Sequence, residues 1–211
     1  MNGKIPFLPP TSVHPLAEGD AVDAGFKQQI LSSKKQILGS GKTPVAELFV
    51  LQESDATEDY VGWLNDPDVN RFLESRFVIH THESVREFIR RHLLDPSSLL
   101  CGIRSVAHAR KHVGNIKLSP IEWNEGQAEI GIMIGDKNAW GKGIGTEAIR
   151  ILAGIARSEL NLRRLTAGCY PENIGSQTAF LRAGFELECP AKEKVFADGS
   201  TGTVVRMRLL L

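Results

Sequence analysis

Along this chain the hydrophobic positions recur at a spacing of two residues in some blocks and at helical spacing in others, so strands and helices alternate. The block Glu47–Gln52 is short, apolar and β-rich, and predicts a strand. Thr57 precedes Tyr60, Val61 and Leu64 as the N-cap of a short helix, and Thr81 caps a second helix whose Val85, Phe88, Ile89 and Leu93 fall on one side. Residues 99–106 and 111–118 read as two strands joined by a polar turn, and 128–134 as a third. From Gly145 to Leu160 the stripe Ala148, Ile151, Leu152, Ile155 and Ala156 marks a long amphipathic helix. A strand at 164–170, a helix at 173–183 stopped by Gly184, and strands at 185–187 and 203–210 complete the order. Such an order is neither all-parallel nor a strict strand–helix alternation. It predicts an α/β (α+β) fold, a mixed sheet with helices on both faces.

Residues 1–43 stand apart. They carry Pro6, Pro9, Pro10 and Pro15, and only Ala21–Leu38 could make a helix, with Phe26, Ile30, Ile37 and Leu38 partly on one face. We take 1–43 as an extension, partly helical or disordered, that packs on the domain at 44–211 or on a second copy of the chain, so a homodimer is a candidate assembly.

Composition narrows the function. Lys plus Arg and Asp plus Glu are both 25, so the formal net charge is zero, which argues against a general nucleic-acid binder. Cys101, Cys169 and Cys189 are too few and too scattered for a disulfide framework or a zinc ribbon. The first residues lack the apolar core of a signal peptide, and no apolar run has the length of a membrane span. The expectation is a cytoplasmic protein without metal or membrane contact.

The chemistry concentrates at Trp140, Gly141, Lys142, Gly143, Ile144, Gly145 and Thr146, between a strand and the long helix. Glycines at alternate positions let backbone N–H groups approach an anion, and the first turn of the helix adds free N–H groups and a positive dipole end. Phosphate or pyrophosphate binding follows. A P-loop would need GxxxxGK followed by Ser or Thr, which is missing; Gly143, Gly145 and Ala148 satisfy a dinucleotide fingerprint only loosely. A bare strand-to-helix turn without ligand is the remaining alternative.

A second group sits at the start of the last helix, where Asn173, Ser176 and Phe180 share one face. Asn173 is equally an N-cap. Glu129 lies in an otherwise apolar strand on the face of Gly131 and Met133; Glu122 and Asp136 are further carboxylates nearby. Cys169 reads as a packed thiol, and His108 and His112 fall in a turn without the glutamate of a zinc helix.

The glycine segment resembles motif A of the GNAT acetyltransferase superfamily, with Gly143 and Gly145 matching and Trp140 where Gln or Arg is usual. That departure, with Asn173, Ser176, Gly184 and Phe185 downstream, resembles the RimJ/RimL-like branch. The resemblance covers about Glu47 to Leu211. It implies a mainly antiparallel sheet of about six or seven strands with a V-shaped opening. It implies acetyl-CoA as cosubstrate and an N-acetyltransferase. By the same resemblance the loop 140–146 binds the pyrophosphate, Ile132, Met133 and Ile134 bind pantetheine through their backbone, and Asn173 contacts pantetheine or substrate. Phe180 stands where many relatives carry a proton-donating Tyr, so Ser176 is the expected acid; Glu129 is the expected base. The expected acceptor is a small primary amine such as a nucleotide-linked amino sugar, with Trp123, Asn124, Tyr170 and Arg71 or Arg76 as candidate pocket residues. The alternatives are a protein N-terminal acetyltransferase and a coenzyme-A-binding sensor without turnover.

Overall fold

The structure is a computed structural model that describes residues 37–38, 44–195, 199 and 201–211. Among these residues one sheet of eight strands forms. In chain order the strands are β1 (Ile37–Leu38), β2 (Ala46–Val50), β3 (Leu99–Ser105), β4 (Lys111–Glu122), β5 (Gln127–Ile134), β6 (Arg164–Cys169), β7 (Glu186–Val195) and β8 (Thr201–Leu210). They lie in the order β1-β2-β3-β4-β5-β6-β8-β7, antiparallel at every junction except β5 with β6. The mixed sheet with helices on both faces is the fold expected from the order of elements; its mainly antiparallel pairing is what the resemblance implied, with eight strands among the described residues where six or seven were expected. Most of the expected helix Ala21–Leu38 lies outside the described residues. Its last two residues, Ile37 and Leu38, are strand instead, paired with Leu48 and Glu47.

The helices are α1 (Glu58–Asn65), α2 (Pro67–Asn70), α3 (His82–Leu94), α4 (Ile144–Ser158) and α5 (Ile174–Ala183). Thr57 and Thr81 cap α1 and α3, their hydroxyls accepting from the N–H groups of Tyr60 and Ser84. Alternation along the strands sorts side chains onto two cores. On one face Leu48, Cys101, Ile103, Ile116, Leu118, Ile130 and Leu165 pack with α4, where eight of fifteen residues are buried. On the other face Phe49, Leu51 and Leu100 pack with Tyr60 and Trp63 of α1 and Val85 and Ile89 of α3.

Two strands run further than the sequence pattern predicts, each past a proline. Strand β4 continues beyond Leu118 to Glu122 through a register shift that accommodates Pro120. Strand β7 continues beyond Leu187 to Val195, with a shift between Glu188 and Lys192 around Pro190. A proline cannot donate to a ladder, so it is tolerated where the ladder is interrupted or at a sheet edge, and both conditions are met by β7.

The α1–α3 face holds one titratable group in an aromatic setting. The His112 ring meets Phe49, Tyr60 and Trp63 edge-on, with centroids 5.2, 6.1 and 5.1 Å away. Its Nε2–H donates to Gly114 O and Asn115 Oδ1, both at 2.9 Å. Burial holds its pKa below the ordinary 6.5 despite those bonds. The folded state therefore favours the neutral ring: its stabilisation is full above 6.5 and is lost as pH falls through 6.5 toward the folded value. Each unit of separation corresponds to about 1.4 kcal/mol. We expect the urea midpoint of the wild-type chain to fall between about pH 7 and pH 5, and His112→Gln to lose less stability over that interval; equal pH dependence of the two would remove His112 as the cause.

Candidate functional site

The sheet opens at its one parallel junction. Strands β5 and β6 pair through Gln127 with Arg164, Ala128 with Leu165 and Glu129 with Thr166, and then stop pairing. Beyond this point, among the described residues, β5 runs on from Ile130 to Ile134, paired only with β4, while β6 runs on from Ala167 to Cys169, paired only with β8. Alternate N–H and C=O groups of β5 thus face a gap rather than a strand. Ile132, Met133 and Ile134 lie on this stretch of β5. The Ile134 carbonyl is already engaged, accepting from the Trp140 indole N–H at 2.8 Å.

At the end of β5 the chain turns through Gly135 into a 3-10 turn, Lys137–Ala139, capped by the Asp136 side chain on Asn138 N–H at 2.9 Å. Lys137 ties the turn to Asp66 and Asp68 at 2.7 and 3.0 Å, and Lys111 lies 3.2 Å from Asp59 and 3.4 Å from Asp136. Burial works against the Asp136 charge, but the Asn138 N–H and the Lys111 ammonium hold its carboxyl below the usual range.

Gly141 and Gly143 follow with φ of 71° and 79°, a region that side-chain-bearing residues avoid. Nothing lies within 4 Å of where a Cβ would stand on either. Gly143 is the N-cap of α4 and brings no side chain to it. The first bond into the helix runs from Glu147 N–H to Gly143 O at 3.0 Å, so the N–H groups of Ile144, Gly145 and Thr146 precede it. Gly145 sits against Ile132 and Ile134, each 3.8 Å from its Cβ position, which seats the helix start on the free strand edge. The exposed Trp140 ring and Lys142, whose Nζ is 3.2 Å from His108 Nε2, flank the opening. This cradle of open glycines and free N–H groups fits a pyrophosphate.

Across the gap, Asn173 caps α5: its Oδ1 accepts from Ser176 N–H at 3.1 Å. Ser176 Oγ in turn lies 3.4 Å from Cys169 Sγ at the end of β6. Burial raises the Cys169 thiol, partly offset by the serine contact, so it remains protonated. Phe180 is a core residue, stacked edge-on against Phe185 at 5.0 Å.

Of the three carboxylates singled out, Glu129 alone stands where the strands part. Glu122 is exposed at the far end of β4, hydrogen-bonded by Gln127, and Asp136 is committed to its cap. Glu129 Oε2 lies 3.2 Å from Nη1 of Arg206, which reaches it from β8 over Gly168. A second cation approaches from the other side: Lys117 on β4 is paired with Gly131, and its Cε and Cγ lie 3.6 and 3.7 Å from that glycine's Cβ position. Burial holds the Lys117 ammonium below its ordinary pKa, although Glu129 and Glu74 oppose the shift. Neither Lys117 nor Arg206 was found by sequence reasoning. For Lys117 the signal was present, a lysine inside the apolar strand Gly114–Leu118; for Arg206 none was, because the pairing spans 77 residues.

The end of β6 leads to a third group. Tyr170 OH accepts from Arg76 Nη1 at 3.0 Å, its ring lies 5.9 Å from Phe72, and the Arg76 and Arg71 guanidiniums sit 5.4 Å over Tyr170 and 4.7 Å over Phe72. Beside them is a cavity of about 440 Å³ lined by residues that include Asn65, Asn70, Arg71, Arg76 and Phe77. Trp123 and Asn124 do not join this group. They occupy the turn between β4 and β5, at the opposite end of β5, and the Trp123 ring packs on the core of the α4 face. A tryptophan next to a strand end is read equally well as wall or as core, and the core reading holds here.

A model of the family described as acetyltransferase (GNAT) domain matches residues 48–186. The chain is 44% identical over 64 residues to the probable N-acetyltransferase YjcK of Bacillus subtilis (strain 168), covering 30% of this chain and 35% of that protein. It is 33% identical over 98 residues to the uncharacterized N-acetyltransferase p20 of Bacillus licheniformis, covering 46% and 54%. The matched part is thus about a third of one curated relative and about half of the other. The crystal structure of spermidine N-acetyltransferase from Vibrio cholerae in complex with CoA and spermine has a similar fold, with a TM-score of 0.68 at 20% identity over 78% of this chain and 95% of that one.

The glycine at the exit from β5 carries a testable constraint. A Cβ on Gly135 would stand 2.1 Å from the Trp63 ring, which is itself packed against His112. Gly135→Ala is expected to cost about 1–3 kcal/mol of stability by overpacking, with part recovered when Trp63→Leu is added. Denaturant midpoints of the single and double variants check it, and an unchanged midpoint in Gly135→Ala rejects the contact.

Proposed function

We propose that this chain, which belongs to the acetyltransferase (GNAT) family, moves an acetyl group from acetyl-CoA to a primary amine by direct attack of the amine on the thioester. The observation that carries the reading is the pair of open, positive-φ glycines at the N-terminus of α4, beside a strand edge with no partner. Trp140, Gly141, Lys142, Gly143, Ile144, Gly145 and Thr146 would hold the pyrophosphate, and the backbone of Ile132 and Met133 the pantetheine arm. The Ile134 carbonyl is spent on Trp140, so its N–H is the group left to serve. Asn173 caps α5 through Oδ1, which leaves its side-chain N–H groups for pantetheine or substrate. The pattern of Trp140, Asn173 and Ser176 supports membership of the RimJ/RimL-like branch.

Within this reading Glu129 takes the proton that an ammonium must lose before its nitrogen can attack, directly or through water. Backbone N–H groups on the free edge of β5 stabilise the charge that grows on the carbonyl oxygen. Ser176 donates to the departing thiolate; Cys169, as a hydrogen-bond partner of its Oγ, orients that hydroxyl. Phe180 has no proton to give and is committed to packing. Ser176→Ala is expected to lower kcat by roughly tenfold or more with little change in the KM for acetyl-CoA, since the bond it makes strengthens only as the thiolate forms. Glu129→Gln flattens the rising limb of the pH–rate profile. Wild-type kcat in the first variant and a wild-type profile in the second would remove both residues from the reaction.

We read the acceptor as a small amine that also carries negative charge, a nucleotide-linked amino sugar being the leading example. The cleft beside the end of β6 is lined by the two arginines, Arg71 and Arg76, and by Phe77, a setting that favours an anionic ligand over a polycation. The protein is taken as cytoplasmic. A panel of amino sugars on nucleotides, polyamines and peptides with free N-termini, each offered with acetyl-CoA, tests the choice. Turnover of the first class alone is the expected result; turnover of peptides or polyamines without any amino sugar would reverse it, and absence of turnover with any amine would favour a coenzyme-A-binding sensor.

A further inference from the structure

The α1–α3 face of the gap carries an amine of its own. Lys117 belongs to the same face of the sheet as Glu129, because it pairs with Gly131 and side chains two apart along a strand share a face. The side chain does not leave the sheet. It lies along the space that Gly131 vacates, with Cγ and Cε at van der Waals distance from that glycine's missing Cβ, and its Nζ is 5.9 Å from the Phe88 ring centroid. It is therefore laid over the strand whose far edge faces the gap. Glu129 and Glu74 act on Lys117 through their charge.

Two other lysines near the loop, Lys111 and Lys137, are held differently, while Lys142 lies in the loop itself, 3.2 Å from His108. Lys111 and Lys137 each sit within 3.4 Å of two carboxylates, and those partners raise their pKa, the hydrogen bonds they donate to Asp59 and to Asp66 being the largest causes. Their amines are kept charged and unreactive. Lys117 is the reverse case: burial favours its neutral, nucleophilic form.

We propose that Lys117 is a self-acetylation site, an internal amine that takes the acetyl group when no acceptor occupies the α1–α3 face of the gap. This rests on the reading that acetyl-CoA binds along the free edge of β5. The Lys117 Nζ attacks the thioester carbonyl carbon, a C–N bond forms and the C–S bond breaks. CoA leaves as its thiol, and the proton lost by the amine is balanced by the one gained by sulfur. The product is a neutral amide lying over Gly131, which removes a positive charge from the acceptor side and adds bulk there. Self-acetylation would in this way slow the enzyme when acetyl-CoA is plentiful and acceptor scarce.

The experiment is to incubate the purified full chain with acetyl-CoA alone and to map acetyl-lysine by peptide mass spectrometry. Calorimetry on the same sample measures acetyl-CoA binding independently. The expected result is one acetyl group at Lys117, in excess over Lys111 and Lys137 by at least about tenfold, because only Lys117 is held beside the gap. That signal should vanish in urea-unfolded chain and in Gly143→Val, and Lys117→Arg should bind acetyl-CoA without being modified. Binding of acetyl-CoA with Lys117 unmodified, or with all three lysines modified alike, overturns self-acetylation and leaves the proposed function standing. Absence of acetyl-CoA binding in the wild-type chain overturns the proposed function itself.

Discussion

Everything at the site depends on two parallel strands that stop pairing while both are still inside the sheet. After Glu129 and Thr166, β5 and β6 each keep only their outer neighbour. Backbone polar groups left without partners inside a protein cost free energy comparable to a lost hydrogen bond. A sheet therefore tolerates such a parting only where something else, solvent or ligand, meets those groups. The surrounding elements are arranged about this split. Helix α4 begins against Ile132 and Ile134 on one face, and α5 begins beside Cys169 on the other lip. Two long cations cross the sheet at the two positions, Gly131 and Gly168, where no side chain blocks them.

The parts of this arrangement that follow from local chemistry were legible in the sequence. The stripe of α4, the threonine caps of α1 and α3, and the glycines before α4 are decided within a few residues, so pattern and cap rules reach them. The loop glycines are the clearest instance, since their positive φ leaves little other choice of residue. The parts decided by pairing at long range were not legible. Prolines 120 and 190 look like strand ends when only neighbours in sequence are considered, yet both strands run on because the adjacent strand keeps its ladder on either side of an irregularity. Arg206 finds Glu129 through a strand order no local pattern encodes, and Trp123, credible as a pocket wall, belongs to the core at the other end of β5.

Zero net charge conceals a separation of roles. The acidic residues Asp59, Asp66, Asp68 and Asp136 are spent on Lys111 and Lys137, and so fasten the turn after β5 to α1 and α2. Lys117 and Arg206 instead stand near Glu129 at the gap, and Arg71 and Arg76 line the cavity near the end of β6. Exposed ion pairs contribute little to stability, and their use here is geometric: they fix the glycine loop relative to the segment that bears the arginines.

The burial of α4 has a dynamic consequence. With eight of its fifteen residues inside the core, that helix can open only when most of the domain opens, so its amides beyond the first turn should exchange with solvent close to the rate of global unfolding. The stretch from Asn70 to Ile79 is built the opposite way, from a 3-10 turn with Phe77, Val78 and Ile79 exposed, tethered to the far lip by the Arg76–Tyr170 hydrogen bond. One side of the gap is thus rigid before any ligand arrives, and the other can be remodelled by sub-global opening at small energetic cost. A scaffold divided in this way can keep one ligand's cradle fixed while substitutions in a short, weakly protected segment alter what enters from the opposite side.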